Sequence, residues 1–168
     1  TDCPNLKFLI PYSSAANYAQ INALLREMSL FRGERFILAD DSHGAISAAD
    51  LVVLSSGTAT LETLLLRRPM IVGYKLAAIT FAIASRLVKI PYVALPNLLA
   101  GRQLVPEYIQ HDLTAAKVRD GIVSHISGAE DHAGLMQEFE KIHRSLRLDA
   151  SAQAAEAVAG LIDDSVAQ

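Results

Sequence analysis

Short apolar runs alternate with stretches of helical periodicity along most of this chain. The run Leu6-Lys7-Phe8-Leu9-Ile10-Pro11 reads as a buried strand stopped by proline. Ile21, Leu24, Leu25 and Met28 then recur at the spacing of one helix face, and Gly33 is placed to close that helix. Phe36–Ala39 reads as a second strand, with Asp41 or Ser42 able to cap a short helix ending near Asp50. Leu51–Leu54 is a third strand, followed at once by Ser55-Ser56-Gly57-Thr58 and a helix to about Arg67. Pro69 precedes a fourth strand at Met70–Gly73, an apolar helix runs to about Val88, and Tyr92–Leu95 reads as a fifth strand. Strands separated by helices of this length predict an α/β fold, a Rossmann-like open parallel sheet with helices on both faces.

Beyond Pro96 the pattern predicts no further strand. Thr114–Ile126, Ala133–Leu148 and the alanine-rich Ser151–Val166 all read as helices, with a turn at Ser127–Asp131 between the first two. The expected organisation is a Rossmann-like ligand-binding domain over residues 1–110 and a C-terminal helical tail over 111–168, packed on it or on a partner domain.

Composition narrows the class. Of 168 residues, 51% are apolar, enough to bury a real core, and the net charge of −3 is spread along the chain. That distribution argues against nucleic-acid binding, which needs a clustered basic face. The lone Cys3 cannot build a disulfide framework and points to a reducing compartment. Asn5-Leu6-Lys7 breaks up any apolar leader, and the stretch from Leu76 to Val88 is too short for a membrane span. The expectation is a cytoplasmic protein. The segment Lys75–Lys89, apolar with basic ends, fits either a buried helix or a helix resting at an anionic bilayer surface.

Chemistry concentrates at two strand ends. In Leu51–Glu62 a strand meets a turn of small residues and a helix begins. Open α/β sheets bind ligands beyond the carboxyl ends of their strands, and a helix N-terminus suits a phosphate. Gly57 lets the backbone approach an anion closely. Glu62 lies one turn into that helix. A capping box is a weak explanation for it, because three residues earlier stands Ala59, which has no hydroxyl. A dipole-stabilised surface carboxylate remains open beside a carboxylate that accepts hydrogen bonds from a ribose diol. The second strand end, Tyr92–Gln103, carries Asn97, Gly101, Arg102 and Gln103. Asn97 can cap a helix and Arg102 can be a solvated charge; equally, both can face the same crevice, where a guanidinium matches phosphate geometry. The five histidines show no metal-ligand spacing, Asp40-Asp41 fits a strand end and a cap, and no Gly-x-Ser-x-Gly elbow is present.

The runs SSGTATLETLLLRRPMIVGY (Ser55–Tyr74) and PYVALPNLLAGRQLVPEYIQ (Pro91–Gln110) resemble the C-terminal half of the lipid-A-disaccharide synthases. The first run is also similar to other two-domain glycosyltransferases, such as the peptidoglycan GlcNAc transferase; the second is the more specific. The resemblance implies the C-terminal half of a GT-B fold, with an active site between two Rossmann-like domains. It implies an inverting transfer of 2,3-diacylglucosamine from UDP to 2,3-diacylglucosamine 1-phosphate. Ser56, Gly57, Thr58 and Ala59 would hold the diphosphate, Glu62 the ribose, and Asn97, Arg102 and Gln103 would line the donor site. No metal and no cofactor is expected. The acceptor site and the catalytic base would belong to an N-terminal domain outside this sequence, as would the first βα unit of the C-terminal half. An acylated substrate implies a peripheral position at the inner membrane, and a homo-oligomer is compatible with the family. Two alternatives stand beside this reading: another UDP-GlcNAc enzyme, either the peptidoglycan transferase or a UDP-GlcNAc epimerase, and a non-catalytic Rossmann-like interaction domain.

Overall fold

The computed structural model describes residues 5–28, 35–77, 91–129, 131–147, 153–156 and 158–159. Among these residues five short strands alternate with helices: β1 (Phe8–Pro11), α1 (Ala15–Glu27), β2 (Phe36–Ala39), α2 (Ser42–Ala48), β3 (Val52–Ser55), α3 (Thr58–Leu65) and β4 (Met70–Tyr74) come first. Then follow α4 (Leu95–Ala100), β5 (Glu107–Ile109), a 3-10 turn at Gln110–Asp112, α5 (Ala115–Ile126) and α6 (His132–Leu146). Among the described residues all strand pairings are parallel, and they form two sheets, β1–β2 and β3–β4–β5. Parallel sheets flanked by helices are the architecture that the alternating pattern dictates.

Local signals explain most boundaries. The side chain of Ser14 accepts from the Asn17 N–H to start α1, Asp41 from Gly44 to start α2, Thr114 from Lys117 to start α5, and Asp131 from Gly134 to start α6. Each satisfies one of the amides that a helix start leaves unpaired. α3 ends in a Schellman closure: Arg68 N–H donates to Thr63 O and Arg67 N–H to Leu64 O, with Arg67 left-handed at φ 54°. The expected closure at Gly33, the apolar helix from about Leu76 to Val88 and most of the alanine-rich terminal helix lie outside the described residues, although 153–156 and 158–159 are helical.

One expected strand is misplaced. Tyr92–Leu95 is not a strand: Pro96 falls in the first turn of α4, whose N-cap is Ala94. A proline with its missing N–H and fixed φ favours a helix start there, and no ladder forms. The fifth strand is instead Glu107–Ile109, beyond the point where the pattern predicts helices only.

Register assigns the two faces of the larger sheet. Val52 pairs with Met70 and Leu54 with Val72, so these four share a face. Onto it pack Leu64 of α3, Ala94, Val105, and Phe139 and Ile142 of α6, in one apolar cluster. The opposite face carries Val53 and Ile71, and α5 crosses it at Gly121, where a Cβ would come 2.9 Å from Ile71 Cδ1. Burying each of Leu64, Met70, Val72 and Phe139 contributes roughly 1.5–3 kcal/mol. The consequence for function is that α3, locked between sheet and α6, holds its N-terminus rigidly beyond the end of β3.

Candidate functional site: the β3–α3 turn

Gly57 is the N-cap of α3 and has φ 155°, ψ −165°, a region that only glycine enters readily. Among the described residues an added Cβ would meet nothing within 4 Å, so the conformation demands glycine here. Among the described residues no side chain caps α3. Instead the Thr60 hydroxyl donates to Gly57 O at 2.7 Å and the Thr63 hydroxyl to Ala59 O at 2.7 Å, both threonines being fully buried. Their hydroxyls are committed inward. The exposed first turn of Gly57 and Thr58 therefore presents helix-start amides to whatever lies beyond the strand end. Ser56 points the other way, its hydroxyl donating to Val93 O at 2.8 Å. It fixes the turn to the segment before α4.

Glu62 stands one turn along α3, half-buried, and Oε1 lies 3.0 Å from Nδ1 of His43. His43 comes from the start of α2, beyond the carboxyl end of β2. Sequence reasoning set His43 aside with the other histidines; 19 positions from Glu62, it gives no spacing signal. Only the folded contact between the first turns of α2 and α3 reveals the pair. Ala59 and Glu62 border a groove of about 780 Å³ that runs between β1 and β3.

The second strand-end constellation is arranged differently. Asn97 is fully buried. Its amide donates to Val105 O at 2.9 Å and to Glu107 Oε1 at 2.7 Å, and its Oδ1 accepts from Leu104 N–H at 2.7 Å and Val105 N–H at 2.9 Å. Two donors and two acceptor positions are the whole capacity of the side chain, and all four are used. Glu107 also accepts from the Val93 and Ala94 amides at 3.0 and 2.9 Å, serving as the cap that α4 lacks in its own sequence. Sequence reasoning missed Glu107, whose position inside the unexpected strand β5 hid it.

Arg102 and Gln103 lie past α4, exposed, on a separate groove of about 530 Å³ shared with Asp131, His132 and Glu138. Arg102 pairs with Glu138 at 3.1 Å. Hydrogen bonding from Lys141, then its charge and that of Arg102, holds the Glu138 carboxyl below its ordinary range. The eight expected residues thus fall into three places. Ser56, Gly57, Thr58, Ala59 and Glu62 form one turn, Asn97 is interior, and Arg102 with Gln103 faces α6.

Comparison with known proteins identifies the family. The family model described as Lipid-A-disaccharide synthetase matches residues 1–159. The chain is 46% identical over 161 residues to the lipid-A-disaccharide synthase of Pseudomonas putida F1, which covers 96% of this chain and 41% of that protein. It is 48% identical to the one from Pseudomonas syringae pv. syringae B728a, covering 95% and 40% respectively. The Pseudomonas paraeruginosa PA7 protein is 46% identical, with 95% and 41% covered. The chain spans about two fifths of the length of the relatives it matches. A parallel α/β fold with a glycine-started helix beyond β3, matched to one family along nearly its whole length, makes this chain a member of the lipid-A-disaccharide synthase family.

Proposed function

We propose that this chain is the donor-binding part of an inverting glycosyltransferase of lipid A biosynthesis. Its donor is UDP-2,3-diacylglucosamine and its acceptor 2,3-diacylglucosamine 1-phosphate, the disaccharide and UDP being the products. The observation that carries the reading is the β3–α3 turn: an uncapped helix start, a glycine-only backbone at Gly57 and a carboxylate one turn in. Helix-start amides favour a diphosphate by about 0.3–2 kcal/mol through the dipole alone, and micromolar binding needs about 8 kcal/mol. Other groups therefore contribute. Gly57, Thr58 and Ala59 meet the diphosphate through backbone N–H groups and the Thr58 hydroxyl. Glu62 accepts from the ribose diol, held in place by His43, and Ser56 and Asn97 act by position, fixing the loops that carry the site. Arg102 sits in an exposed, solvent-screened ion pair, so it can exchange Glu138 for a phosphate or sugar oxygen, with Gln103 beside it.

Catalysis on this reading needs an acceptor site and a base from polypeptide outside residues 1–168. The acylated substrates place the whole enzyme at the cytoplasmic face of a membrane. Among the described residues no helix is long and apolar enough to cross one. The test is calorimetric titration of UDP into this chain joined to the unmatched portion of the P. putida relative. Glu62→Ala removes a charged acceptor worth about 1.5–3 kcal/mol, so Kd rises tenfold or more while the unfolding midpoint holds. An unchanged Kd refutes the assignment of Glu62.

A further inference from the structure

The residue with the least local reason for its conformation is Gln110. Among the described residues only Arg67 shares its left-handed backbone without being glycine, and Arg67 closes α3. Gln110 has φ 53°, is 9% exposed and directly follows β5. A non-glycine residue persists there only where its surroundings over-determine it, and such residues cluster at functional sites.

Two sets of contacts over-determine it. The Leu76 N–H donates to Gln110 Oε1 at 2.6 Å, and Gln110 Nε2 donates to Leu76 O at 3.2 Å. The side-chain amide thus pairs with both polar groups of one residue, as a residue of a neighbouring strand does. Leu113, three positions on, lies so close over Gly73 that a Cβ there would come 2.7 Å from its Cδ1. The β4–β5 ladder ends at Tyr74↔Ile109, and these contacts pin the chain just beyond it, where it leaves β4.

The pinned exit borders the β3–α3 turn. Ser55 pairs with Gly73, and adjacent strands lie about 4.8 Å apart. Lys75 therefore leaves the sheet at the level of Gly57, one strand over, at the carboxyl ends where open α/β sheets bind ligands. Lys75 is exposed and, among the described residues, has no ion pair. Other cations are engaged or distant. Lys117 bonds Asp112, Arg102 faces Glu138 of α6, and Arg67 and Arg68 stand past the far end of α3. A diphosphate at Gly57 carries more negative charge than the roughly half a positive unit of a helix start offsets. A lysine ammonium on its flexible stem suits the remaining oxygens.

We propose that Lys75 contacts the donor diphosphate and that Gln110 is its positioning residue, holding the exit of β4 against the crevice. The inference rests on the donor-site reading of the β3–α3 turn and adds the cation which that turn lacks. It gives the strained backbone of Gln110 a purpose: a relaxed turn after β5 would carry the amide away from Leu76 and free the segment that bears Lys75.

The experiment titrates UDP calorimetrically, at several salt concentrations, into this chain joined to the unmatched portion of the P. putida relative, with urea unfolding beside it. Lys75→Gln should raise the UDP Kd about tenfold or more, the loss of one charge-assisted hydrogen bond. The salt dependence of Kd should weaken and the unfolding midpoint should hold. Lys75→Arg keeps the charge and should restore most of the affinity. Glycine takes φ 53° without strain, so Gln110→Gly keeps the turn and loses only the amide. It should raise Kd as well, and adding Lys75→Gln to it should change Kd by less than about threefold. An unchanged Kd or salt dependence in Lys75→Gln, or a midpoint that falls with the affinity, overturns the contact. A full tenfold effect of Lys75→Gln in the Gln110→Gly background overturns the positioning role. A parent that binds no UDP overturns the donor-site reading and this inference with it, whereas a parent that binds UDP regardless of Lys75 overturns this inference alone.

Discussion

Replacing Asn97 by alanine removes a side chain whose four hydrogen bonds tie α4 to the segment Leu104–Glu107. The Val105 N–H and C=O lose a partner inside the core, where Val105 is 1% exposed. Leu104 N–H loses its acceptor and Glu107 one of its donors. A buried group left unpaired costs about 1–3 kcal/mol, and a hydrogen bond to a charged group about 1.5–3 kcal/mol. Even with partial relaxation the loss is about 3 kcal/mol or more, against a total stability of about 5–15 kcal/mol for a domain. With a urea dependence of about 1–3 kcal/mol/M, the midpoint should fall by at least about 1 M. Asn97→Asp gives an independent signature. The new carboxyl still accepts both amides but faces Val105 O and the Glu107 carboxylate as a like charge. Its pKa in the folded state therefore lies above the unfolded value, so the folded state binds the proton more tightly, and stability recovers as pH falls through that raised value. Asn97→Ala shows no such recovery. A midpoint shift below about 0.3 M, with weakened UDP binding, would refute the interior assignment and return Asn97 to the crevice.

Gly57→Ala forces an L-residue to φ 155°, costing about 1–3 kcal/mol if the turn holds; urea unfolding should show that loss and calorimetry a loss of UDP binding. Gly121→Ala brings a methyl to 2.9 Å from Ile71 and should destabilise by about 1–3 kcal/mol with UDP affinity unchanged in the joined protein. Glu138 and Glu140 are held below 4.5 by Lys141 and Arg144 first, so their contribution is full above pH 4.5 and is lost as pH falls through the lowered values; Glu138→Gln with Glu140→Gln should flatten part of the acid limb of an unfolding profile. Residues 1–168 alone should give no detectable disaccharide, because positioning two reactants can supply about 7–11 kcal/mol of a barrier and one wall cannot hold both; turnover by the purified chain would contradict this.

How much of this was legible depended on whether a residue's partner was local. Four strands and the caps of α2 and α5 follow from neighbours a few positions away, and Asp41 and Thr114 sit where a helix start needs an acceptor. The β3–α3 turn was legible for the same reason, since strand, glycine and helix are consecutive. Tyr92–Leu95 misled because an apolar run between prolines satisfies a strand pattern, while its amides are taken by Glu107, more than ten residues away. Glu107 in turn opens a three-residue strand with no apolar alternation to signal it. His43 stands on a different helix from Glu62, 19 positions away, and only the folded contact pairs them.

The same long-range contacts make the two strand-end regions one mechanical unit. Ser56 reaches Val93, Val93 and Ala94 reach Glu107, and Glu107 reaches Asn97, a chain of hydrogen bonds of 2.7 to 3.0 Å running from the β3–α3 turn to the loop before Arg102. Glu107 itself belongs to β5, whose register with β4 is fixed at Val72↔Glu107. A shift of that register would therefore move the turn at Gly57 and the loop at Arg102 together. Ser56→Ala breaks only the first link, at about 0.5–1.5 kcal/mol for a neutral hydrogen bond, and leaves every proposed ligand contact in place. If the unit works as a positioning device, this variant weakens UDP binding in the joined protein without lowering the unfolding midpoint by more than that cost, and Ser56→Thr, which keeps a hydroxyl, restores part of the affinity. Equal UDP affinity in Ser56→Ala and the parent would show that the turn holds its shape without Val93, and that α3 and Gly57 suffice.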